Sequence, residues 1–230
     1  MSRDWTSIPI LIPTFNNPSY LRGMTSQARR RDLRDIVIFD SNSDPGTMAG
    51  TLKGEVEQGA RVIQLPGNFG PSFALRHKEI RDLLPQVFIL SDPDLQLNEA
   101  MPDDFLEILR GLTNEFKIGK AGVALDISRP EELSDERLRL GTRDYSIVEW
   151  ESQFWRLRVE TQSGLEVYAA EVDTIFALCN QEYLNPDSLN QGVRVAGSFV
   201  AKHLPWYKKS MLSSQELDLY GRTTRQSHWI

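Results

Sequence analysis

The amino-acid sequence predicts an α/β fold built around a mostly parallel sheet. In the first half of the chain, short apolar runs such as 36–39 and 87–90 alternate with segments whose apolar residues have helical spacing. This alternation requires right-handed crossover connections, which cover a parallel sheet with helices. The length of 230 residues, of which 40% are hydrophobic, suits one large folded domain or two small ones.

The elements of the first half follow in order from these patterns. Apolar runs predict strands at residues 8–13, 36–39, 62–65, 87–90 and 121–125. Pro9 disfavours a central position at the start of the first strand. Helical spacing and proline or polar starts predict helices at about 18–33, 48–57, 73–84 and 103–116.

The pattern changes after about residue 127. Residues 144–155 have the apolar spacing of an amphipathic helix. The turn residues 161–164 separate two β-like runs, 156–160 and 165–169, and so predict a hairpin. Two further β-rich runs cover 174–179 and 193–200. We expect these strands to form an antiparallel addition to the same sheet rather than a separate domain, so that 1–230 is one domain.

Bulk properties narrow the function classes. The net charge of −6 argues against general nucleic-acid binding. One cysteine, Cys179, excludes an internal disulfide framework and a cysteine zinc site, and its apolar neighbours predict a buried small residue. No stretch approaches the ~20 apolar residues of a membrane span. The first residues lack the apolar core of a signal peptide, so a cytoplasmic location is expected.

The sequence Asp92-Pro93-Asp94 follows the apolar run 87–90 directly. Two carboxylates this close repel each other and raise each other's pKa. A divalent cation removes that cost, and Mg²⁺ or Mn²⁺ usually binds substrate phosphates together with protein carboxylates. The pair therefore predicts a site for a metal and a diphosphate at the carboxyl edge of the sheet.

Other polar residues follow the neighbouring strands, at the edge where open α/β sheets bind ligands. They are Thr14, Phe15 and Asn16 after the first strand, Asp40 after the second, and Asn68 and Gly70 after the third. No GxGxxG follows the first strand and no GxxxxGK[ST] occurs, which excludes a dinucleotide fingerprint and a P-loop. Simpler roles stay open: Thr14 and Asn16 as helix caps, Asp40 in an Asx-turn, and Gly70 as a turn glycine.

Four pieces of the chain, in their order and spacing, resemble family 2 glycosyltransferases and their relatives with the GT-A fold. The pieces are 10–16, 38–44, 68–70 and 92–94. The similarity covers roughly the first half, with a weaker match at the C-terminal β-runs. It implies a GT-A fold, in which 1–127 is the nucleotide-binding half, 128–210 the acceptor-binding half and 211–230 a tail. It also implies a glycosyltransferase of the hexosyltransferase type.

The resemblance implies roles for the residues that match. Pro13, Thr14 and the ring of Phe15 would cradle the base and ribose, although the family often has Tyr where this chain has Phe15. Asp40 would accept a hydrogen bond from a uracil or guanine ring, and a UDP-sugar donor is favoured. Asn16, Asn68 and Gly70 join this nucleotide-binding set, and Arg76 either faces a phosphate or lies on the solvated surface.

The resemblance also implies a Mn²⁺ or Mg²⁺ site. Asp94 would bind the metal directly, while Asp92 would reach the ribose or a metal-bound water. Many GT-A enzymes supply a further ligand, often His, from the region where His203 lies. Imidazole is an acceptable partner for Mn²⁺ beside carboxylates. The alternative for His203 is a ring packed against Trp206.

An inverting transferase requires a carboxylate base near the acceptor hydroxyl. The candidates are Asp173, which opens a predicted buried strand, then Glu151, which has aromatic neighbours, and Glu171. A retaining enzyme needs no such base, and the stereochemistry stays open. The resemblance implies that the acceptor is a carbohydrate or another hydroxyl-bearing molecule, and its identity stays open.

Other functions have weaker support in the residues. A sugar-phosphate nucleotidyltransferase shares the sheet topology, but Asn16-Asn17-Pro18 stands where those enzymes have a glycine-rich basic stretch. A haloacid-dehalogenase-type phosphatase places its two aspartates after the first strand rather than the fourth. A nucleotide-sugar-binding module without activity is the non-enzymatic alternative.

Overall fold

A nine-stranded mixed sheet organises the chain. The computed structural model describes residues 7–209 and 212–223. The strands are β1 (Ile10–Thr14), β2 (Ile36–Asp40), β3 (Arg61–Gln64), β4 (Val87–Leu90), β5 (Leu95–Gln96), β6 (Lys120–Val123), β7 (Arg137–Leu140), β8 (Arg143–Ser146), β9 (Arg158–Val159), β10 (Val167–Ala169), β11 (Ala177–Asn180), β12 (Gly192–Val195) and β13 (Lys202–His203). The helices are α1 (Pro18–Arg30), α2 (Pro45–Glu57), α3 (Phe73–Arg76), α4 (Lys78–Arg81), α5 (Phe105–Phe116), α6 (Ile147–Glu151) and α7 (Ser214–Thr223).

The large sheet has the strand order β3-β2-β1-β4-β11-β6-β12-β10-β9. The first four strands in this order run parallel, and β12 runs parallel to β6. β11 is antiparallel to both of its neighbours, β4 and β6. The second half of the chain therefore joins the same sheet, as predicted, but β11 enters its interior rather than extending its edge. The hairpin predicted around 161–164 is present as β9 and β10.

Helices cover both faces of the central parallel strands, which explains why β1, β2 and β4 are largely apolar, whereas the edge strand β3 is mostly exposed. Successive side chains of a strand point to opposite faces. Ile10 and Ile12 accordingly pack with Met24 of α1, in a cluster that includes α2 and α5. Leu11 packs on the opposite face with Leu75 of α3. Within the described residues, no helix has the length and apolar character needed to cross a bilayer.

The helix predicted at 144–155 starts later in the structure, at Ile147. Residues 144–146 belong to β8, which pairs with β7, and the Arg139 guanidinium binds the Asp144 carboxylate across this hairpin. Ser146 then forms a capping box with Glu149 and starts α6, which a short 3-10 helix (Ser152–Trp155) continues. The cross-strand pair and the capping box both favour a helix start at residue 147.

The predicted helix at 73–84 is divided. His77 has an extended backbone that ends α3 and precedes α4. In this conformation the ring of His77 lies 4.5 Å from the ring of Phe73. The β-run predicted at 193–200 is also shorter, because a 3-10 turn (Gly197–Phe199) follows β12. Cys179 lies buried in β11, as predicted, and burial raises the pKa of its thiol to about 11.

Candidate functional site

The carboxyl ends of β2, β1 and β4 lie side by side and form the carboxyl edge, which we define by Asp40, Thr14 and Ser91. Thr14 is directly opposite Asp40, and β4 pairs with β1 on the other side. Strands in a sheet are about 4.8 Å apart, so β2 and β4 are separated by about 10 Å. This span suits a ligand with one polar end at Asp40 and the other near Asp92.

The Asp40 carboxylate is buried at this edge and incompletely bonded. Its side chain is 2% exposed at the end of β2. Oδ2 accepts a long hydrogen bond of 3.4 Å from the Ser43 backbone N–H. Oδ1 has no hydrogen-bond partner within the described part of the chain. Because a buried carboxylate oxygen without a donor is costly, this atom is suited to accept a hydrogen bond from a ligand. The weak contact to Ser43 gives little support to a purely structural turn.

Thr14 and Asn16 bond within the loops of the carboxyl edge. The Thr14 hydroxyl donates to Oδ1 of Asn17, the residue that precedes α1. The Asn16 N–H donates to the Ser43 hydroxyl over 3.0 Å, and the Asn16 Oδ1 accepts from the Asp44 N–H over 2.7 Å. Asn16 has a φ of 53°, a left-handed conformation that Asn tolerates better than most residues. Asn16 thus ties the loop after β1 to the loop after β2.

The residues predicted after β3 have separate placements. Oδ1 of Asn68 accepts a 3.0 Å hydrogen bond from the Gly70 N–H, so this oxygen is engaged within its own loop. Gly70 has a φ of 78°, which favours glycine. Arg76 lies exposed at the end of α3 and forms no ion pair with residues 7–209 or 212–223. Its guanidinium is therefore accessible to a ligand.

Asp92 connects β4 to the segment that precedes β11. Its Oδ2 accepts a 2.7 Å hydrogen bond from the Thr174 hydroxyl, and its backbone N–H donates to the Thr174 carbonyl over 2.8 Å. Burial, and then the charge of Asp94, raise the pKa of the Asp92 carboxyl to about 7. The Thr174 hydrogen bond opposes this shift. The environment thus disfavours a second negative charge unless a cation is present.

His203 lies beside Asp94 because β13 pairs with β5, which immediately follows Asp94. Its Nε2 is 3.6 Å from Oδ1 of Asp94, and its ring is 4.6 Å from the ring of Trp206. Both expectations for His203 are therefore compatible: one face packs on Trp206 while Nε2 faces the carboxylate. Burial lowers the pKa of His203 to about 4, which keeps the imidazole neutral, the form that binds metals.

We tested whether these side chains fit a divalent cation. Among the residues that the structure describes, no group of three or more His, Cys, Asp or Glu side chains is arranged to hold a metal ion. The predicted set of Asp92, Asp94 and His203 is thus not preassembled, since Oδ2 of Asp92 turns to Thr174. Asp94 and neutral His203 fit a cation that takes its remaining ligands from phosphate oxygens and water, as Mg²⁺ and Mn²⁺ commonly do.

The predicted base Asp173 lies at the same site. Its carboxylate is exposed, and its charge contributes to the raised pKa of Asp92. Glu171, two residues earlier, is exposed as well. An exposed carboxylate next to Asp92 and Asp94 can receive a proton from a bound hydroxyl group.

Glu151, the other predicted base, has a different environment. Its side chain is 1% exposed, and Oε1 accepts a 2.6 Å hydrogen bond from Nη1 of Arg194. Burial raises the pKa of Glu151 to about 7, whereas Arg194 opposes the shift. Because the carboxylate is enclosed with a guanidinium, the structure argues against Glu151 as a base and gives it a structural role.

Three residues near the site were missed by the sequence reasoning: Lys120, Thr174 and Arg194. Nζ of Lys120 donates to the backbone carbonyls of Val172 and Asp173, at 2.9 and 2.8 Å. Nε of Arg194 donates to the carbonyl of Glu171 at 2.6 Å. A signal was present, because Lys120 and Arg194 are charged residues beside or within short apolar runs. Such residues are rarely buried without a partner.

No protein-family model and no curated protein matches the chain. Solved structures do match. The crystal structure of GalNAc-T7 with UDP, GalNAc and Mn²⁺ superposes with a TM-score of 0.56 and 14% identity, covering 93% of this chain and 46% of that one. The chain has a GT-A-like fold. This confirms the predicted fold class, and identity this low supports the fold alone. The chain spans less than half the length of the GalNAc-T7 chain.

Further solved structures match at lower TM-scores. S. aureus TarS 1–349 in complex with UDP-GlcNAc has a TM-score of 0.47 and 11% identity, covering 92% of this chain and 60% of that chain. A putative glucose-1-phosphate thymidylyltransferase from Bacillus anthracis has a TM-score of 0.41 and 16% identity, covering 80% of this chain and 78% of that chain.

Proposed function

We propose that the chain is a metal-dependent glycosyltransferase that moves a sugar from a nucleotide-diphosphate donor to a hydroxyl-bearing acceptor. The observation that carries this proposal is the placement, on a GT-A-like sheet, of an unsatisfied buried oxygen of Asp40 at the end of β2 and of the Asp92 and Asp94 carboxylates after β4. These two strands lie about 10 Å apart. A uridine diphosphate has its hydrogen-bonding base and its charged diphosphate at opposite ends. A UDP-sugar is therefore the favoured donor.

On the nucleotide side, Oδ1 of Asp40 accepts the imide N–H of uracil in this proposal. Phe15, half-buried after β1, offers a ring for stacking, and Pro13 and Thr14 form the floor beneath it. Arg76 is exposed and would face a phosphate of the donor. Asn16, Asn68 and Gly70 complete the proposed nucleotide-binding set. The Oδ1 atoms of Asn16 and Asn68 are engaged in holding their loops, which leaves these residues to shape the site.

On the diphosphate side, Asp94 and His203 would hold a divalent cation. When bound, it offsets the charge of the diphosphate and stabilises the leaving nucleotide. The proposal assigns Asp92 to the ribose or to a water. The hydrogen bond from Thr174 fixes the orientation of the Asp92 carboxylate for this contact.

On the acceptor side, Asp173 is the proposed base. Its exposed carboxylate would take the proton of the acceptor hydroxyl as that oxygen attacks the donor sugar. This role applies to an inverting enzyme. A retaining enzyme would use the same donor site without it.

The test is Mn²⁺-dependent hydrolysis of a panel of nucleotide-sugars by the chain and by Asp94→Ala. We expect hydrolysis of a UDP-sugar, and a loss of about 100-fold in the variant because a metal-contacting carboxylate is removed. The matched control is Asp104→Ala, since Asp104 is exposed and makes no capping hydrogen bond. Tight UDP binding without turnover across the panel would instead indicate a binding module, and pyrophosphate release from a nucleoside triphosphate with a sugar phosphate would indicate a nucleotidyltransferase.

A crystal soaked with UDP and Mn²⁺ provides the structural test. We expect the uracil at Asp40 and the diphosphate at Asp94. Nucleotide density elsewhere would overturn the assignment, whatever the hydrolysis assay reports.

A further inference from the structure

The stretch Glu171 to Thr174 connects β10 to β11 without regular secondary structure, and we call it the anchored segment. Each of its carbonyls accepts a hydrogen bond from elsewhere in the fold. Nε of Arg194 donates to Glu171 O at 2.6 Å, Nζ of Lys120 to Val172 O and Asp173 O at 2.9 and 2.8 Å, and the Asp92 N–H to Thr174 O at 2.8 Å.

Lys120 is the centre of this arrangement. Its side chain has no solvent exposure, and among the described residues no carboxylate lies within ion-pair distance of Nζ. Burial lowers its pKa, while the charges of neighbouring groups, including Asp173 and Asp92, oppose the shift. An ammonium group without a carboxylate partner is costly to bury, and a methionine fills similar space at no such cost. The hydrogen bonds to the two carbonyls are what the ammonium group provides.

The packing of Val172 also holds the anchored segment in place. A Cβ at Gly122 would lie 2.8 Å from Cγ1 of Val172, and a Cβ at Gly192 would lie 2.6 Å from Cγ2 of Val172. The Val172 N–H also donates to the Asn190 carbonyl over 2.7 Å. Val172 therefore sits between two strands in a space that only glycine at both positions leaves open. The side chains on either side of it, Glu171 and Asp173, remain exposed.

We propose that Lys120 is a positioning residue for the transfer reaction. By binding two successive carbonyls, it fixes the anchored segment so that the Asp173 carboxylate is presented beside Asp92 while the Thr174 hydroxyl bonds Asp92. One buried side chain thereby sets the relative position of the proposed base and the diphosphate site. This inference rests on the proposed function, because Asp173 acts as a base only if the chain transfers a sugar.

The test is Lys120→Met in the full chain, with three readouts. We expect kcat for Mn²⁺-dependent UDP-sugar hydrolysis to fall at least 10-fold, because the base is no longer held in place. The Kd of UDP, measured by calorimetry, should change much less than kcat, since Asp40 and Asp94 are untouched and only the Asp92 contact depends on the anchored segment. Deuterium uptake should rise in peptides covering 170–176, where the Val172 amide is now protected.

The matched control is Arg29→Met, which removes a cation from a partly buried ion pair with Glu55 on another part of the fold. It should lower stability without changing kcat or exchange at 170–176, so a general loss of stability is separated from loss of position. Val172→Ala serves as a second variant if Lys120→Met does not fold. It loosens the same segment without touching a buried charge, and its kcat and exchange should change in the same direction.

If the wild-type protein is active and Lys120→Met has the same kcat, the inference is wrong and the proposed function still stands. Unchanged exchange at 170–176 overturns it as well. Wild-type protein that binds UDP but turns over no nucleotide-sugar overturns the proposed function, and the positioning role with it.

Discussion

The carboxyl edge and the anchored segment lie next to each other but treat charge in opposite ways. At the edge, Asp40 keeps an oxygen without a partner in the described chain, and Asp92 has a raised pKa. Beneath the anchored segment, Arg194 is paired with Glu151, and Lys120 binds two carbonyls. Charged groups at the edge remain available to a ligand, whereas the charged groups beneath the segment donate hydrogen bonds to its backbone carbonyls.

This difference predicts different consequences of mutation. Removing a charge at the carboxyl edge should weaken ligand binding and leave folding intact, or even improve it. Removing a charge beneath the anchored segment should first destabilise the fold, because the partner is left buried and unpaired.

The largest effect is expected for Arg194→Met. This change leaves the Glu151 carboxylate buried without its guanidinium and removes the donor to the Glu171 carbonyl. We expect the free energy of unfolding to fall by about 3–5 kcal/mol, measured by urea denaturation. The double variant with Glu151→Leu should recover a large part of this loss. A single variant that costs less than about 1 kcal/mol would mean that the buried pair is not needed for stability.

The next effect concerns binding rather than folding. Asp40→Asn replaces a charged acceptor by a neutral amide, so the charge-assisted hydrogen bond from the uracil imide is lost. We expect UDP affinity to fall by about 1.5–3 kcal/mol, measured by calorimetry, with little change in unfolding free energy.

Asp35→Asn is the matched control for this prediction. Asp35 immediately precedes the same strand, at its opposite end, and pairs with Arg61 on the surface. UDP affinity should not change in this variant. An equal loss of affinity in both variants would show that strand stability, not base recognition, accounts for the effect.

This contrast also explains which features could be predicted from the sequence. Asp40, Asp92 and Asp94 follow apolar runs, and the end of a strand is a local feature of the sequence. The strand Val87–Leu90 was likewise predicted with the bounds that the structure has. By contrast, β11 pairs with β4, about ninety residues earlier in the chain, and an apolar run does not encode its direction or its neighbour.

The role of Glu151 illustrates the same limit within the site. Its aromatic neighbours favoured an acceptor-side role, but its partner Arg194 lies 43 residues away in sequence. Lys120 was missed for a similar reason. Its carbonyl partners are 52 and 53 residues distant, so only the folded chain brings them together.

A gain of stability is expected for Asp92→Asn in metal-free protein. The folded-state pKa of Asp92, about 7, is above its ordinary value of 3.8. Ionisation therefore opposes folding: the cost is absent below pH 4, grows as the pH rises and is complete above pH 7. With an allowance for partial solvent screening, we expect the variant to be more stable by about 1–2 kcal/mol at pH 8.

The measurement is urea denaturation at pH 8, 6 and 5 in the presence of a chelator. The stability difference between Asp92→Asn and wild type should shrink as the pH is lowered. A difference that does not vary with pH would show that Asp92 is not the titrating group.

The smallest effect compares helix caps in the two halves of the chain. Asp44 caps α2 by accepting from the Thr47 N–H, and Ser146 caps α6 by accepting from the Glu149 N–H. Asp44→Ala and Ser146→Ala should each cost about 1 kcal/mol of unfolding free energy, measured by urea denaturation.

The Asp44 N–H also donates to Asn16, which ties the loops of the carboxyl edge together. Asp44→Ala keeps this backbone N–H but loosens the first turn of α2, which positions it, so the variant should lower UDP affinity slightly, by about 2-fold, a fraction of the worth of one hydrogen bond. Ser146→Ala should leave UDP affinity unchanged, and equal affinities in the two variants would show that the carboxyl edge does not depend on how α2 begins.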